Sequence, residues 1–171
     1  MNKHQENKKA WEEAYDYRND YDKDLLKKVQ SNKMPYLNEN LKNEILQNDL
    51  ENKTVVQFCC NNGRELLTLG YHHNIHGIGF DIAKNMVQDA NRNADKLKIN
   101  VEFLERDIFE IEERFNNTAD YLIITVGALC WFADLNRFFQ KVASVLKKDG
   151  KLFLSDIHPI SCMLAVPGEK N

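Results

Sequence analysis

The stretch Thr54-Val55-Val56-Gln57-Phe58-Cys59-Cys60-Asn61-Asn62-Gly63-Arg64-Glu65 decides the fold. Its first half is a short run rich in β-forming residues, which predicts a strand from Thr54 to Cys60. Its second half is a polar turn, and Gly63 opens a segment with leucines at helical spacing. A strand that passes through a tight turn into a helix is typical of the first unit of a nucleotide-binding α/β domain.

Strands and helical segments alternate beyond this unit. The pattern predicts further strands at 75–82, 101–104, 121–126 and 151–157, with amphipathic helices between them. Residues 147–150, Lys-Lys-Asp-Gly, are expected to close the last helix. Parallel strands need such crossovers, so the fold class is α/β, a Rossmann-like doubly wound, mainly parallel sheet of about five strands with helices on both faces.

The chain before residue 53 is helical and polar in pattern, without a hydrophobic strand. We expect residues 1–52 to form a cap or lid, residues 53–160 the sheet domain, and residues 161–171 a tail. Aromatic residues are expected either to cover a ligand or to pack the helices on the sheet. These residues are Trp11, Tyr15 and Tyr36. Trp131 is a further candidate for the lid or for contact with the substrate.

Composition and charge argue against several classes of partner. The 171 residues include 23 basic and 26 acidic ones, a net charge of −3, which gives no electrostatic reason to expect nucleic acid or an anionic membrane. No apolar run approaches the roughly 20 residues of a membrane helix, and the polar N-terminus lacks a signal core, so a cytoplasmic location is expected. No metal site is predicted, because His72, His73 and His76 have no nearby cysteine or carboxylate cluster.

Carboxylates follow two of the predicted strands. Asp81 lies 81 − 57 = 24 residues after Gln57, near the roughly 20 residues expected within one βαβ unit, and its side chain suits a ribose diol. Asp107 follows the third strand and suits the exocyclic amine of adenine. The fingerprint G-x-G-x-x-G is absent, because residues 57–65 contain one glycine. A nucleoside without phosphates is therefore favoured over a dinucleotide.

Five segments, in this order and at this spacing, resemble the motifs of class I S-adenosylmethionine-dependent methyltransferases, particularly the ubiquinone/menaquinone-methyltransferase-like group. The segments are Gln57–Gly63, Gly79–Ile82, Glu105–Ile108, Thr125–Leu129 and Lys148–Phe153. The resemblance runs over about residues 11–167. It implies S-adenosylmethionine as cofactor, S-adenosylhomocysteine as product, and a small-molecule acceptor. The cofactor contacts that it implies are Gln57, Cys59, Asn61, Gly63, Asp81, Ile82, Met86, Asp107, Ile108, Val126 and Gly127.

The chain departs from the family's pattern at two places. Gln57 replaces an acid that normally contacts the methionine amine, and Cys59 and Asn61 replace two glycines, although asparagine tolerates left-handed backbone. The family's sheet has seven strands, whereas this chain stops soon after the fifth, so it resembles the first two thirds of a longer enzyme. We expect a homodimer through the uncovered fifth strand, or a missing segment.

Methyl transfer depends mainly on positioning, while a hydroxyl acceptor often needs a base. His158, just after the fifth strand, is the candidate base; the alternative is that His158-Pro159 only ends the strand. The leading expectation is a small-molecule methyltransferase. A catalytically silent S-adenosylmethionine-binding or interaction domain is the alternative, and an NAD-dependent dehydrogenase is a weaker one.

Overall fold

Strands alternate with helices from residue 54 onward in the computed structural model, which describes residues 3–17, 23–158 and 160. Between the third and fourth strands, two short 3₁₀ helices, Ile108–Glu110 and Glu113–Phe115, stand where an amphipathic helix was expected. The helices are α1 (Lys3–Tyr17), α2 (Leu25–Val29), α3 (Glu39–Leu46), α4 (Arg64–His72), α5 (Lys84–Leu97) and α6 (Leu135–Val145). The strands are β1 (Thr54–Phe58), β2 (His76–Asp81), β3 (Val101–Glu105), β4 (Ala119–Ile124) and β5 (Leu146–Leu154). No helix in the described ranges is both long and apolar enough to cross a lipid bilayer.

The five strands form one sheet in the order β3-β2-β1-β4-β5, and all four neighbouring pairs are parallel. The predicted fold class is thereby confirmed. The chain direction across the sheet reverses between β1 and β4, and a doubly wound sheet binds its ligand beside such a switch point. Among the described residues β5 pairs with β4 alone, so it is an edge strand. The homodimer through this edge stays a prediction.

Successive residues of β1 point to opposite faces of the sheet and so enter two separate cores. Val55 packs with residues of α2, α3, α4 and α5, whereas Val56 and Phe58 pack with α6 and the segment 108–115. The helices of the predicted N-terminal cap have two different roles. Helices α2 and α3 bury residues in the first core, whereas α1 has no buried residue. The predicted tail 161–171 lies outside the described residues.

The end of α6 differs from the prediction. Residues 147–150 were expected to close the helix, but the helix ends at Val145 and β5 begins at Leu146. The last carbonyls of the helix accept hydrogen bonds from a distant loop: Asn117 N–H donates to Ser144 (2.9 Å) and Thr118 N–H donates to Val145 (3.0 Å). These tertiary hydrogen bonds, rather than a glycine cap, satisfy the helix end.

Residues 147–150 instead form an irregularity in β5. Ala119 pairs with Leu146 and Tyr121 pairs with Lys151, so the inserted residues lie opposite one residue of β4, which is Asp120. The predicted fourth strand is also displaced, because β4 ends at Ile124 and residues 125–126 have already left the sheet.

Replacing Phe138 by alanine tests the second core. Phe138 is 0% exposed. The centroid of its ring lies 4.5 Å from the ring centroid of Phe132 and 6.3 Å from that of Phe58. We expect Phe138→Ala to lower the free energy of unfolding by about 3 to 5 kcal/mol, measured by urea denaturation. The neighbouring Phe139 is 36% exposed, so Phe139→Ala should cost about 1 kcal/mol or less. Equal losses in the two variants would contradict the described packing.

Candidate functional site

The turn after β1 places every second residue in the left-handed region. The φ angles are 53° at Cys59, 53° at Asn61 and 75° at Gly63. Left-handed backbone costs roughly 1 to 2 kcal/mol for a residue with a side chain, and less for asparagine. The three positions are those at which the resemblance expects glycine, so the backbone conformation is present although two of the glycines are not.

Hydrogen bonds from the neighbouring strand hold this turn. Cys60 N–H donates to the carbonyl of Phe80 at 3.1 Å, and Gly63 N–H donates to the carbonyl of Cys60 at 2.8 Å. Gly63 itself cannot be exchanged easily, since a Cβ there would lie 2.4 Å from the ring of Phe103. It therefore meets both a conformational and a steric requirement where α4 begins.

Asp81 ties the turn to the end of β2. Its Oδ2 accepts a hydrogen bond from Asn61 N–H at 2.7 Å, and its Oδ1 accepts one from Ala83 N–H at 3.0 Å. Burial raises the pKa of Asp81 above its usual value, although these backbone donors act in the opposite direction. Each carboxylate oxygen has a second lone pair, so Asp81 still has capacity for ligand hydroxyl groups.

A cavity of about 890 Å³, its open side included, lies at the carboxyl ends of the strands. The structure brings most of the predicted cofactor contacts together in its wall. These are Cys59, Asn61, Asp81, Ile82, Met86, Asp107, Ile108, Val126 and Gly127, and the predicted aromatic residues Trp11 and Trp131 line it too. Gln57, which is buried in β1, and Gly63, where α4 begins, are not among the lining residues.

Helix α1 lies over this cavity and is held by polar contacts. His4 hydrogen-bonds Asp107, and Lys8 forms an ion pair with Glu105, which places the start of α1 against the end of β3. The rings of Trp11 and Trp131 meet edge to face, with their centroids 5.3 Å apart. These two aromatic residues thus lie where a lid was expected.

Tyr15 and Tyr36 are not in the cavity wall, so the structure favours the packing alternative for both. Tyr15 is half-buried; burial and a hydrogen bond with Asp89 raise its pKa. Tyr36 packs against the first core, and the guanidinium of Arg64 lies 5.7 Å from the centre of its ring. Cation–π stacking and burial, rather than ligand contact, explain the position of Tyr36.

The structure does not bring His158 to the cavity. Its side chain is exposed, and its Nδ1 accepts a 3.3 Å hydrogen bond from Ile160 N–H. A general base must reach the proton that it removes, and His158 is outside the lining residues. The prediction placed His158 correctly after the last strand, but position along the chain did not fix the direction of the side chain.

Asp156 shapes the site, although the sequence analysis did not predict it. It accepts hydrogen bonds from Gly127 N–H at 2.6 Å and Leu129 N–H at 2.9 Å, so it shapes the loop after β4 that lines the cavity. Burial acts to raise the pKa of Asp156, but these backbone donors outweigh it and the pKa is lowered. A carboxylate directly after a strand was the available signal.

Other residues of the cavity wall were also not predicted from the sequence. Arg64 and Glu65 follow Gly63 on the first turn of α4, and Thr125 follows β4. The others include His4, Asn7, Arg106 and Phe132. In the described part of the chain, no group of three histidine, cysteine or acidic residues is placed to hold a metal ion.

Substitutions of Cys59 test the left-handed turn. Cys59→Gly should change the free energy of unfolding by less than about 1 kcal/mol, because relief of backbone strain offsets the lost contacts and the entropy of glycine. Cys59→Val should lower it by about 2 to 3 kcal/mol, since a β-branched residue strongly disfavours φ near 53°. The exposed Cys130 is the control, and Cys130→Val should have a small effect. Equal effects of glycine and valine at position 59, measured in urea, would contradict the described turn.

Comparison with known proteins shows what this architecture resembles. The methyltransferase domain family matches residues 49–167. No curated protein sequence gives a significant match. A protein from Methanococcus maripaludis, described as an S-adenosyl-L-methionine-dependent methyltransferase, has a solved structure with 18% identity and a TM-score of 0.64. That comparison covers 85% of this chain and 63% of the other.

Two further solved structures have the same fold. A protein from Pyrococcus horikoshii OT3 is 26% identical with a TM-score of 0.60, over 75% of this chain and 60% of the other. A methyltransferase from Geobacter sulfurreducens, solved with S-adenosyl-L-homocysteine, is 18% identical with a TM-score of 0.56. That comparison covers 69% of this chain and 48% of the other. The chain thus spans about half to two thirds of the length of these proteins. Because the family match covers most of the 171 residues, this chain belongs to the methyltransferase domain family.

Proposed function

We propose that this chain binds S-adenosylmethionine in the cavity at the strand ends and transfers its methyl group to a small molecule. The observation that carries the proposal is the placement of Asp81 and Asp107 in one cavity wall, after adjacent strands and beside the left-handed turn. A ribose diol offers two hydroxyl donors to Asp81, and an adenine amine offers a donor to Asp107.

The chain's own residues bind and orient the cofactor in this proposal. Asp81 holds the ribose, Ile82 and Ile108 pack against the base, and Asp107 accepts from the exocyclic amine. When bound, S-adenosylmethionine supplies an electrophilic methyl group on a sulfonium sulfur. His4 currently occupies a carboxylate oxygen of Asp107, so ligand binding exchanges one nitrogen donor for another.

Positioning is the main catalytic contribution that we infer. Orientation of two reactants is worth several orders of magnitude in rate, and a nitrogen or sulfur acceptor needs little more. Trp11 and Trp131 line the cavity and meet edge to face, and in this proposal they shield the bound ligand from water. The exposed position of His158 agrees with a reaction that does not depend on a histidine base.

Calorimetric titration and a transfer assay test the proposal. We expect S-adenosylmethionine and S-adenosylhomocysteine to bind with dissociation constants of about 1 to 100 μM, within the usual range for enzyme ligands, and NAD not to bind. Release of S-adenosylhomocysteine with a panel of amines, thiols and hydroxyl compounds identifies the acceptor. Binding without transfer to any acceptor would support the silent binding domain instead. No binding of either ligand at millimolar concentration would contradict both functions.

Binding should also depend on pH through Asp81. Its ionised form accepts the ribose hydroxyls, and burial raises its pKa, so affinity for S-adenosylhomocysteine should fall as the pH drops, starting above the ordinary aspartate value of about 4. A raised pKa in the folded state means that protonation of Asp81 by itself does not destabilise the fold. Calorimetry from pH 8 to pH 5 measures the affinity for S-adenosylhomocysteine, and circular dichroism at each pH shows whether the protein remains folded. A 2′,3′-dideoxy analogue is the control and should lose this dependence.

A further inference from the structure

We propose that Glu65 holds the α-ammonium group of the methionine part of S-adenosylmethionine; this inference rests on the proposed function. Glu65 is on the first turn of α4 and is 5% exposed, yet it lines the cavity. A buried carboxylate is costly unless it is paired and hydrogen-bonded. A cationic ligand group at the cavity wall would complete its pairing.

The partners of Glu65 leave one of its oxygens weakly bonded. Oε1 accepts a 3.1 Å hydrogen bond from Arg64 Nε, which is a charged donor. Among the described residues, Oε2 accepts only a long 3.4 Å bond from Gln57 Nε2, which is a neutral donor. A charged donor forms the stronger hydrogen bond with a carboxylate, so an ammonium group at Oε2 adds an interaction that the protein itself does not provide.

Gln57 indicates the kind of ligand group that suits the part of the cavity wall beside Glu65. It is 0% exposed, and its Oε1 accepts no hydrogen bond from any described residue. Its Nε2 is directed to Glu65 and to Thr125 Oγ1, both at 3.4 Å. Glu65 Oε2 and Gln57 Oε1 are therefore two neighbouring side-chain oxygens that can still accept strong hydrogen bonds. An ammonium group has three donors and no acceptor, whereas a carboxylate or phosphate would add acceptors.

The order of the acidic residues along the sheet matches the order of groups in the cofactor. Three carboxylates line the cavity among the described residues: Asp107 after β3, Asp81 as the last residue of β2, and Glu65 after β1. Adjacent strands lie about 4.8 Å apart, so the three acids follow one another across the wall. The adenine amine, the ribose diol and the ammonium group follow one another along S-adenosylmethionine. Glu65 is the acid that remains for the ammonium group.

Glu65→Gln tests this inference, because it removes the charge with almost no change in shape. S-adenosylhomocysteine carries the ammonium group, whereas 5′-methylthioadenosine has the same nucleoside and thioether without the amino acid. We expect the variant to bind S-adenosylhomocysteine about 10- to 100-fold more weakly, as for loss of a charged hydrogen bond. Its affinity for 5′-methylthioadenosine should change by less than about twofold. Calorimetry measures both, and Glu102→Gln, an exposed position on β3, is the control that should change neither.

A second variant restores the charge from the neighbouring position. In Gln57→Glu combined with Glu65→Gln, the carboxylate moves to the other side of the same hydrogen bond, and we expect part of the affinity for S-adenosylhomocysteine to return. Equal weakening of both ligands by Glu65→Gln would show a merely structural role and overturn the inference, as would unchanged binding of S-adenosylhomocysteine. If the wild-type chain bound neither nucleoside, the proposed function itself would fail.

Discussion

The hydrogen bond from Asn61 N–H to Asp81 Oδ2 is the constraint on which the site depends. It fixes the left-handed turn after β1 against the end of β2, where Cys60 N–H and the carbonyl of Phe80 add a second link. The turn in turn sets the start of α4 and the position of Glu65. One carboxylate therefore organises the backbone of the cavity before any ligand is present.

This constraint explains how the turn keeps its shape with few glycines. Hydrogen bonds to the adjacent strand offset the backbone strain at Cys59 and Asn61, so a glycine is not needed at either position. Only Gly63 has a neighbour, Phe103, that forbids a side chain. The side chains of Cys59 and Asn61 then become part of the cavity wall, where a glycine-rich turn would offer bare backbone to a pyrophosphate.

The sequence predicts those features that depend on local pattern. Apolar runs and helical spacing locate the strands and their order of alternation, and the residues at strand ends include Asp81 and Asp107. The end of α6 could not be predicted in this way, because loop amides of Asn117 and Thr118 satisfy its carbonyls. Periodicity likewise cannot distinguish a buried Glu65 from a solvated acid on the first turn of a helix. The side-chain direction of His158 and the stacking of Tyr36 are set by tertiary contacts too.

The polar attachment of α1 follows from its composition. The helix has no buried residue, and it is held by contacts such as the ion pair of Lys8 with Glu105 and the hydrogen bond between Glu12 and Lys84 N–H. Surface ion pairs of this kind contribute roughly 0 to 1 kcal/mol each. A ligand amine that replaces His4 at Asp107 requires the His4 side chain to turn away from that carboxylate. Because α1 is attached through polar and aromatic contacts and buries no side chain, it covers the cavity without being part of either core.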